Sequence, residues 1–233
     1  MRWAIAAGSV VMTLVGQAPA TDLYVPARFV DGPAPLAPGE RMPNGGVAGA
    51  LVLGGGEVLL EVSVGKNGLV SAIDRIRVTP PYTDLLITAV EGWRFLPAET
   101  ASAKEPRHAI ESRVLVAGIF RPPALYVGMT AGEVPRDVAR PSSLIPVPHE
   151  MIAPSYPPNG RGSATVVLEV EVGPNGSPRN VRVIRSGGGF DSAAIQAAER
   201  WSFSPARQPD GPLPSFAYLV MGFPEPVAPQ IKR

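Results

Sequence analysis

The chain repeats itself, and the repeat limits what it can fold into. The stretch Leu60-Glu61-Val62-Ser63-Val64-Gly65-Lys66-Asn67-Gly68 returns as Leu168-Glu169-Val170-Glu171-Val172-Gly173-Pro174-Asn175-Gly176, with seven of nine positions identical. A second block, Trp93-Arg94-Phe95-Leu96-Pro97-Ala98, returns as Trp201-Ser202-Phe203-Ser204-Pro205-Ala206, with four of six identical. Both blocks recur after the same 108 residues, so no net insertion separates them. One spacing shared by two blocks marks a duplicated unit. Two copies are too few for a solenoid, in which at least three repeats stack to bury a continuous core.

Both copies imply the same local structure. Val166, Leu168, Val170 and Val172 alternate with Val167, Glu169 and Glu171, and Val58, Leu60, Val62 and Val64 alternate likewise. Period-two alternation puts each set on one face of a strand. On this reading Glu169 and Glu171 share a solvated sheet face. The segments 65–68 and 173–176 are hairpin loops, whose Asn-Gly pairs tolerate positive φ. A second strand follows over 73–78 and over 181–184. A helix comes next, with Leu86, Ala89, Val90 and Trp93 on one side in the first copy. In the second copy Phe190, Ala194, Ala197 or Ala198, and Trp201 share a side, and Asp191 is the expected N-cap. Pro97 and Pro205 stop the helical path. Closing strands are expected over about 108–117 and 215–223. The fold class is therefore α+β: two tandem ββαβ modules, each a small antiparallel sheet packed on one helix.

Proline (28) and glycine (25) exceed a fifth of the 233 residues, nearly double the usual share of about 12%. Much of the proline falls between the copies, where it predicts an extended linker of limited flexibility, with one short helical turn near 135–139. At the N-terminus, Arg2 precedes an apolar run over 3–16 and the small-x-small pattern Ala18-Pro19-Ala20. That order fits a signal peptide, and the run is shorter than the ~20 residues of a spanning helix. The expected organisation is a signal peptide over 1–20, a Pro/Gly-rich lead-in over 21–46, the first module over 47–120, a Pro-rich linker over 121–153, the second module over 154–226 and a tail over 227–233. The mature protein is expected in the periplasm after cleavage; the alternative is an inner-membrane anchor made by the uncleaved N-terminal segment.

The second copy carries an ordered set of motifs: Pro154-Ser155-Tyr156-Pro157, a strand, Gly-x-Asn-Gly, a valine-rich strand, Ser186-Gly187, Phe190-Asp191, an alanine-rich helix and Trp201-x-Phe203-x-Pro205-Ala206. This set resembles the TonB C-terminal domain over about 154–226. The first copy looks like a divergent relative that keeps the hairpin and the Trp93-x-Phe95-x-Pro97 block but lacks the Tyr-Pro and Ser-Gly pieces. The resemblance implies a non-catalytic protein-binding adaptor, similar to the energy transducer TonB in transmembrane transport. Such a protein pairs a sheet edge with extended peptides of outer-membrane receptors. The resemblance makes the last strand, Phe216-Ala217-Tyr218-Leu219-Val220-Met221, the candidate edge and Tyr156-Pro157 a second contact. A full transducer has an uncleaved membrane anchor followed by a long proline-rich spacer; here the apolar run is short and the spacer reduced.

Other chemistry finds little support in the sequence. There is no cysteine, which excludes disulfides and thiolate metal sites. Lys+Arg (21) nearly balance Asp+Glu (20), and Arg179, Arg182 and Arg185 are too few for a nucleic-acid stripe. Gly187-Gly188-Gly189 lacks the Lys-Ser/Thr of a phosphate loop, Ser186 has no nucleophile elbow, and His108 and His149 lie in unrelated segments. No enzyme activity, cofactor, metal or small-molecule substrate is expected. The expected partner is an outer-membrane receptor or other envelope protein, or a second copy in a homodimer. The competing function is a structural envelope scaffold that self-associates through its sheet edges.

Overall fold

The structure is a computed structural model that describes residues 23–36, 55–121 and 135–225. In chain order the elements are β1 (Leu23–Val25), β2 (Arg28–Asp31), β3 (Gly56–Val64), β4 (Val70–Val78), α1 (Tyr82–Val90), β5 (Arg94–Leu96), β6 (Ala98–Ala101), β7 (His108–Ile110) and β8 (Ser112–Phe120). Then come β9 (Arg136–Asp137), β10 (Val147–Glu150), β11 (Ala164–Val172), β12 (Pro178–Arg185), α2 (Asp191–Ala198), β13 (Ser202–Ser204), β14 (Arg207–Gln208), β15 (Gly211–Pro212) and β16 (Ser215–Phe223). The α+β class is as expected: mostly sheet, with two short helices.

The two blocks that recur in the sequence touch each other. The hairpin glycines Gly68 and Gly176 sit at φ +77° and +81°, where an L side chain is strained. Their carbonyls accept from the N–H of Phe95 (2.8 Å) and Phe203 (3.0 Å). A Cβ on either glycine would collide with the carbonyl oxygen of Phe95 or Phe203. The Asn-Gly turn and the Trp-x-Phe-x-Pro block are thus two sides of one contact, made twice.

The copies do not form two separate small sheets. They share one seven-stranded sheet of order β12-β11-β16-β8-β3-β4-β9. Within each copy the strands are antiparallel, but the seam between copies, β16 with β8, is parallel, from Ala217↔Leu115 to Gly222↔Phe120. Equivalent strands that run the same way side by side are related by rotation about an axis along the strands. That rotation turns one copy over, so the helices lie on opposite faces of the sheet. Leu86, Val90 and Trp93 pack with Val58, Leu60, Val62, Val114 and Val116. Ala194, Ala197, Ala198 and Trp201 pack on the other face with Val166, Leu168, Val170, Leu219 and Met221.

Each helix covers only its own half of a face, and the other half is covered by a strap. The lead-in to the first copy lays Ala27 and Phe29 over Val167, Tyr218 and Val220 of the second, held by β2 pairing with β5. The stretch before the second copy lays Ile145 and Val147 on the α2 face, which includes Leu59, Leu115 and Ile119 of the first, held by β10 pairing with β13. The tryptophan ending each helix block clasps its strap: Trp93 Nε1 donates to Pro33 O and Trp201 Nε1 to Ile152 O, both at 3.0 Å.

Several expectations are corrected here. Within the expected linker, 135–153 is largely strap, and the helical turn near 135–139 is instead β9, which pairs with the end of β4. Asp191 is the first helical residue and not the N-cap. Its carboxylate faces backwards, accepting from Gly187 N (2.8 Å) and Ser186 Oγ (2.6 Å), so it fixes the strand-to-helix turn. The segment expected as a signal peptide, the lead-in beyond residue 36, residues 47–54 of the expected first module, the linker over 122–134 and the tail lie outside the described residues.

Candidate partner-binding strand and its surroundings

The strand 216–221 was expected at a sheet edge, and the structure puts it inside the sheet. One side of β16 pairs with β11 over nine positions, from Ser215↔Val172 to Phe223↔Ala164; the other pairs with β8. Ala217, Tyr218, Leu219, Val220 and Met221 are fully buried. Their alternation serves two cores at once, with Ala217, Leu219 and Met221 on the α2 face and Tyr218 and Val220 on the α1 face. Phe216, at the start of the strand, is half-buried beneath the guanidinium of Arg28, 5.0 Å from its ring centroid.

Tyr218 is tied into the first strap. Its hydroxyl donates to Ala27 O (3.3 Å) and accepts from Phe29 N (2.9 Å), and its ring packs edge-on to Phe95 and Trp93. Burial pushes the phenol far above its ordinary pKa, with the nearby Glu169 adding to the effect. It remains neutral, a donor and an acceptor at any physiological pH.

Tyr156 and Pro157 lie at the entrance to the second copy. Tyr156 is half-buried, packs edge-on to Phe190 with centroids 5.2 Å apart, and donates to Gly162 O at 2.7 Å. Pro157 accepts from Gly160 N at 2.9 Å. These contacts make a compact turn at the N-terminal side of α2, whereas Phe216 lies on the opposite face with the first strap. Ala217, Leu219 and Met221 share the α2-face core that Tyr156 packs against, while Phe216, Tyr218 and Val220 lie on the other face, so the second contact meets only one face of the expected strand.

The sequence reading missed a pair of buried carboxylates. Glu61 and Glu169, equivalent in the repeat, are each 2% exposed, which corrects the solvated face expected for Glu169. Glu61 accepts from Ser142 N (2.8 Å), Ser142 Oγ (2.6 Å) and Arg113 (2.5 Å). Glu169 accepts from Arg28 and from Arg182 (3.0 Å). Each copy thus anchors the strap that crosses it through one buried glutamate. Burial alone would raise the pKa of Glu61, but the bonds from Ser142 and Arg113 outweigh it and hold the group below the usual carboxylate range. The identity of these two positions across the repeat was the available signal.

Among the described residues, no cluster of His, Cys, Asp and Glu side chains could hold a metal ion, and no helix is long and apolar enough to cross a membrane.

These features define a class: an α+β unit in which a hairpin, a short helix closed by tryptophan and a returning strand share one core. Residues 153–213 match the family model of the Gram-negative bacterial TonB protein C-terminal, and that segment is a TonB C-terminal domain. The matched residues hold β11, β12, α2 and β13 to β15 and stop just before β16; the first copy is outside the match. Protein tonB2 of Pseudomonas aeruginosa is 44% identical over 63 residues, which cover 25% of this chain and 23% of that protein. The chain therefore spans about a quarter of the length of that curated relative. No solved structure matches.

Proposed function

We propose that the chain is a non-catalytic periplasmic adaptor that holds extended peptides of outer-membrane receptors by strand pairing. The observation that carries this reading is the TonB C-terminal domain at 153–213. Its core supports a strand whose backbone can accept a partner. Phe216 to Met221 remain the proposed partner-binding strand and Tyr156-Pro157 the second contact. In the described arrangement β8 occupies the side of β16 that a receptor peptide would use. Capture there requires the parallel seam to open, so the adaptor has a closed state in which its own first copy takes the peptide's place.

The absence of cysteine makes a clean test available. Ala117 and Leu219 are Cα partners across the seam and lie on the same face. The double variant Ala117→Cys, Leu219→Cys can form only the bridge that locks it. Capture of outer-membrane receptors from envelope extract should be lost in the oxidised protein and return on reduction. Equal capture by the locked protein would remove β16 as the binding strand. N-terminal sequencing of the envelope protein should find a start near Thr21; an intact Met1 in the inner membrane would favour an anchored transducer.

A specific observation favours the second reading, a scaffold that self-associates through sheet edges: the side of β16 that a peptide would use is already filled by β8 of the same chain. In that case the locked variant would behave as the parent in every respect, and envelope extract would yield only the protein itself.

A further inference from the structure

Strand β12 ends the seven-stranded sheet, and the first copy shows how an equivalent edge is filled. In the first copy the equivalent edge is partly filled. Strand β9 pairs antiparallel with the end of β4, Arg77↔Asp137 and Val78↔Arg136. Asp137 accepts from Arg77 through Nε (2.7 Å) and Nη2 (3.4 Å), while Nη1 of Arg77 donates to Glu57 (2.8 Å). An acidic residue on an added strand thus closes a two-pronged pair with an arginine of the sheet, a geometry that suits a guanidinium and a carboxylate.

The second copy has the arginine without the strand. Arg185 stands 108 residues after Arg77, and the register agrees: Leu59 pairs with Arg77 and Val167 with Arg185. Among the described strands β12 ends the sheet, with no strand paired on its outer side. Nε of Arg185, the atom equivalent to the one that holds Asp137, is buried and has no hydrogen-bond partner. Thr165 takes the place of Glu57, and its Oγ1 is likewise buried and unpartnered. Asp31, whose pKa is lowered chiefly by its bond from Arg94 and further by the charge of nearby Arg185, has both oxygens engaged by Arg94. Buried donors without partners cost stability unless something satisfies them. The edge is also basic, with Arg179 and Arg182 exposed along it. Two copies joined edge to edge through β12 would set these arginine rows against each other, so a second copy is a poor occupant.

We propose that the Arg185 end of β12 binds an extended peptide segment carrying an aspartate or glutamate. The peptide pairs antiparallel, with its carboxylate on Arg185, as Asp137 sits on Arg77. This site is on the opposite side of the second copy from the seam and stays open while the seam is closed, so it does not depend on receptors being the partner of β16.

The probe is a labelled peptide with the sequence of residues 133–139, Glu-Val-Pro-Arg-Asp-Val-Ala, added to the full mature chain. Saturable binding is expected below about 1 mM, as short added strands bind weakly. Affinity should fall about tenfold or more in Arg185→Gln and for the peptide with asparagine in place of its aspartate. It should persist in Arg77→Gln, which separates the new edge from exchange with β9. Amide exchange should slow over 178–185 and not over 215–223. Absence of binding, equal affinity for both peptides, or loss in Arg77→Gln alone would overturn the proposal, as would concentration-dependent self-association through β12. Because the asparagine peptide requires no change in the protein, the proposal stays falsifiable if Arg185→Gln fails to fold.

Discussion

At the residue scale, the buried glutamates have the most direct consequences. Glu61→Gln weakens the set of bonds from Ser142 and Arg113; loss of a charged acceptor of this kind costs about 2 kcal/mol, or roughly 4–8 °C in Tm for a chain of this size. The folded carboxyl titrates below its unfolded value, so its contribution is present above the unfolded pKa and is lost as pH falls through the folded one. Thermal melts should therefore show the widest gap between parent and variant near neutrality, narrowing below about pH 4.5. A gap that widens in acid would contradict the assignment. The hairpin glycines could be read from sequence because an Asn-Gly pair specifies its turn locally. The glutamates could not, because alternation separates the two faces of a strand without saying which is wet. In β3 and β11 both faces are covered, as they more often are in parallel than in antiparallel sheets.

At the scale of elements, the helices were legible and the strand environments only partly so. The alanine face of α2 and the tryptophans that close both helix blocks fell where the periodicity put them, since Trp93 and Trp201 are 1% and 2% exposed. Trp201→Ala should cost about 3–5 kcal/mol, much of the 5–15 kcal/mol typical of a domain. Trp201→Phe keeps most of the bulk and loses chiefly the bond to Ile152 O, so its melting point should fall between parent and alanine variant. A proline scan separates interior from edge. Every inward position of β16 faces a partner on one side or the other, so proline at Tyr218, Leu219 or Val220 should unfold the protein regardless of phase. In β12, whose outer side is free, one phase should be tolerated and the other not, as judged by circular dichroism. Tolerance of one phase along β16 would mean that the seam with β8 is not formed, since pairing with β11 alone still forbids the other phase. Nothing in residues 216–221 distinguishes a strand with one neighbour from a strand with two. That difference comes from β8, more than ninety residues away.

At the scale of the whole molecule, the shared spacing of the two blocks says nothing of how the segments that carry them face each other. A shared offset carries no information about the rotation that turns one copy over, and proline-rich segments read as spacers whether they hang free or lie on a core. Because each strap completes the opposite half, the described residues should unfold in one transition. Within each of Trp93→Phe and Trp201→Phe, fluorescence from the remaining tryptophan of the two should give the same denaturant midpoint as circular dichroism of the whole chain. Two midpoints would mean independent modules. The crossing of the straps has a further consequence for covalent continuity. If the backbone is severed between Arg121 and Pro135, the N-terminal piece still holds Phe29 against Tyr218 and the C-terminal piece still holds Ser142 against Glu61, each fragment wrapped around a part of the other. The nicked protein would run as two bands under denaturing conditions and as one species when native. Once folded, the two halves embrace reciprocally, and the peptide link between them is no longer what keeps them together.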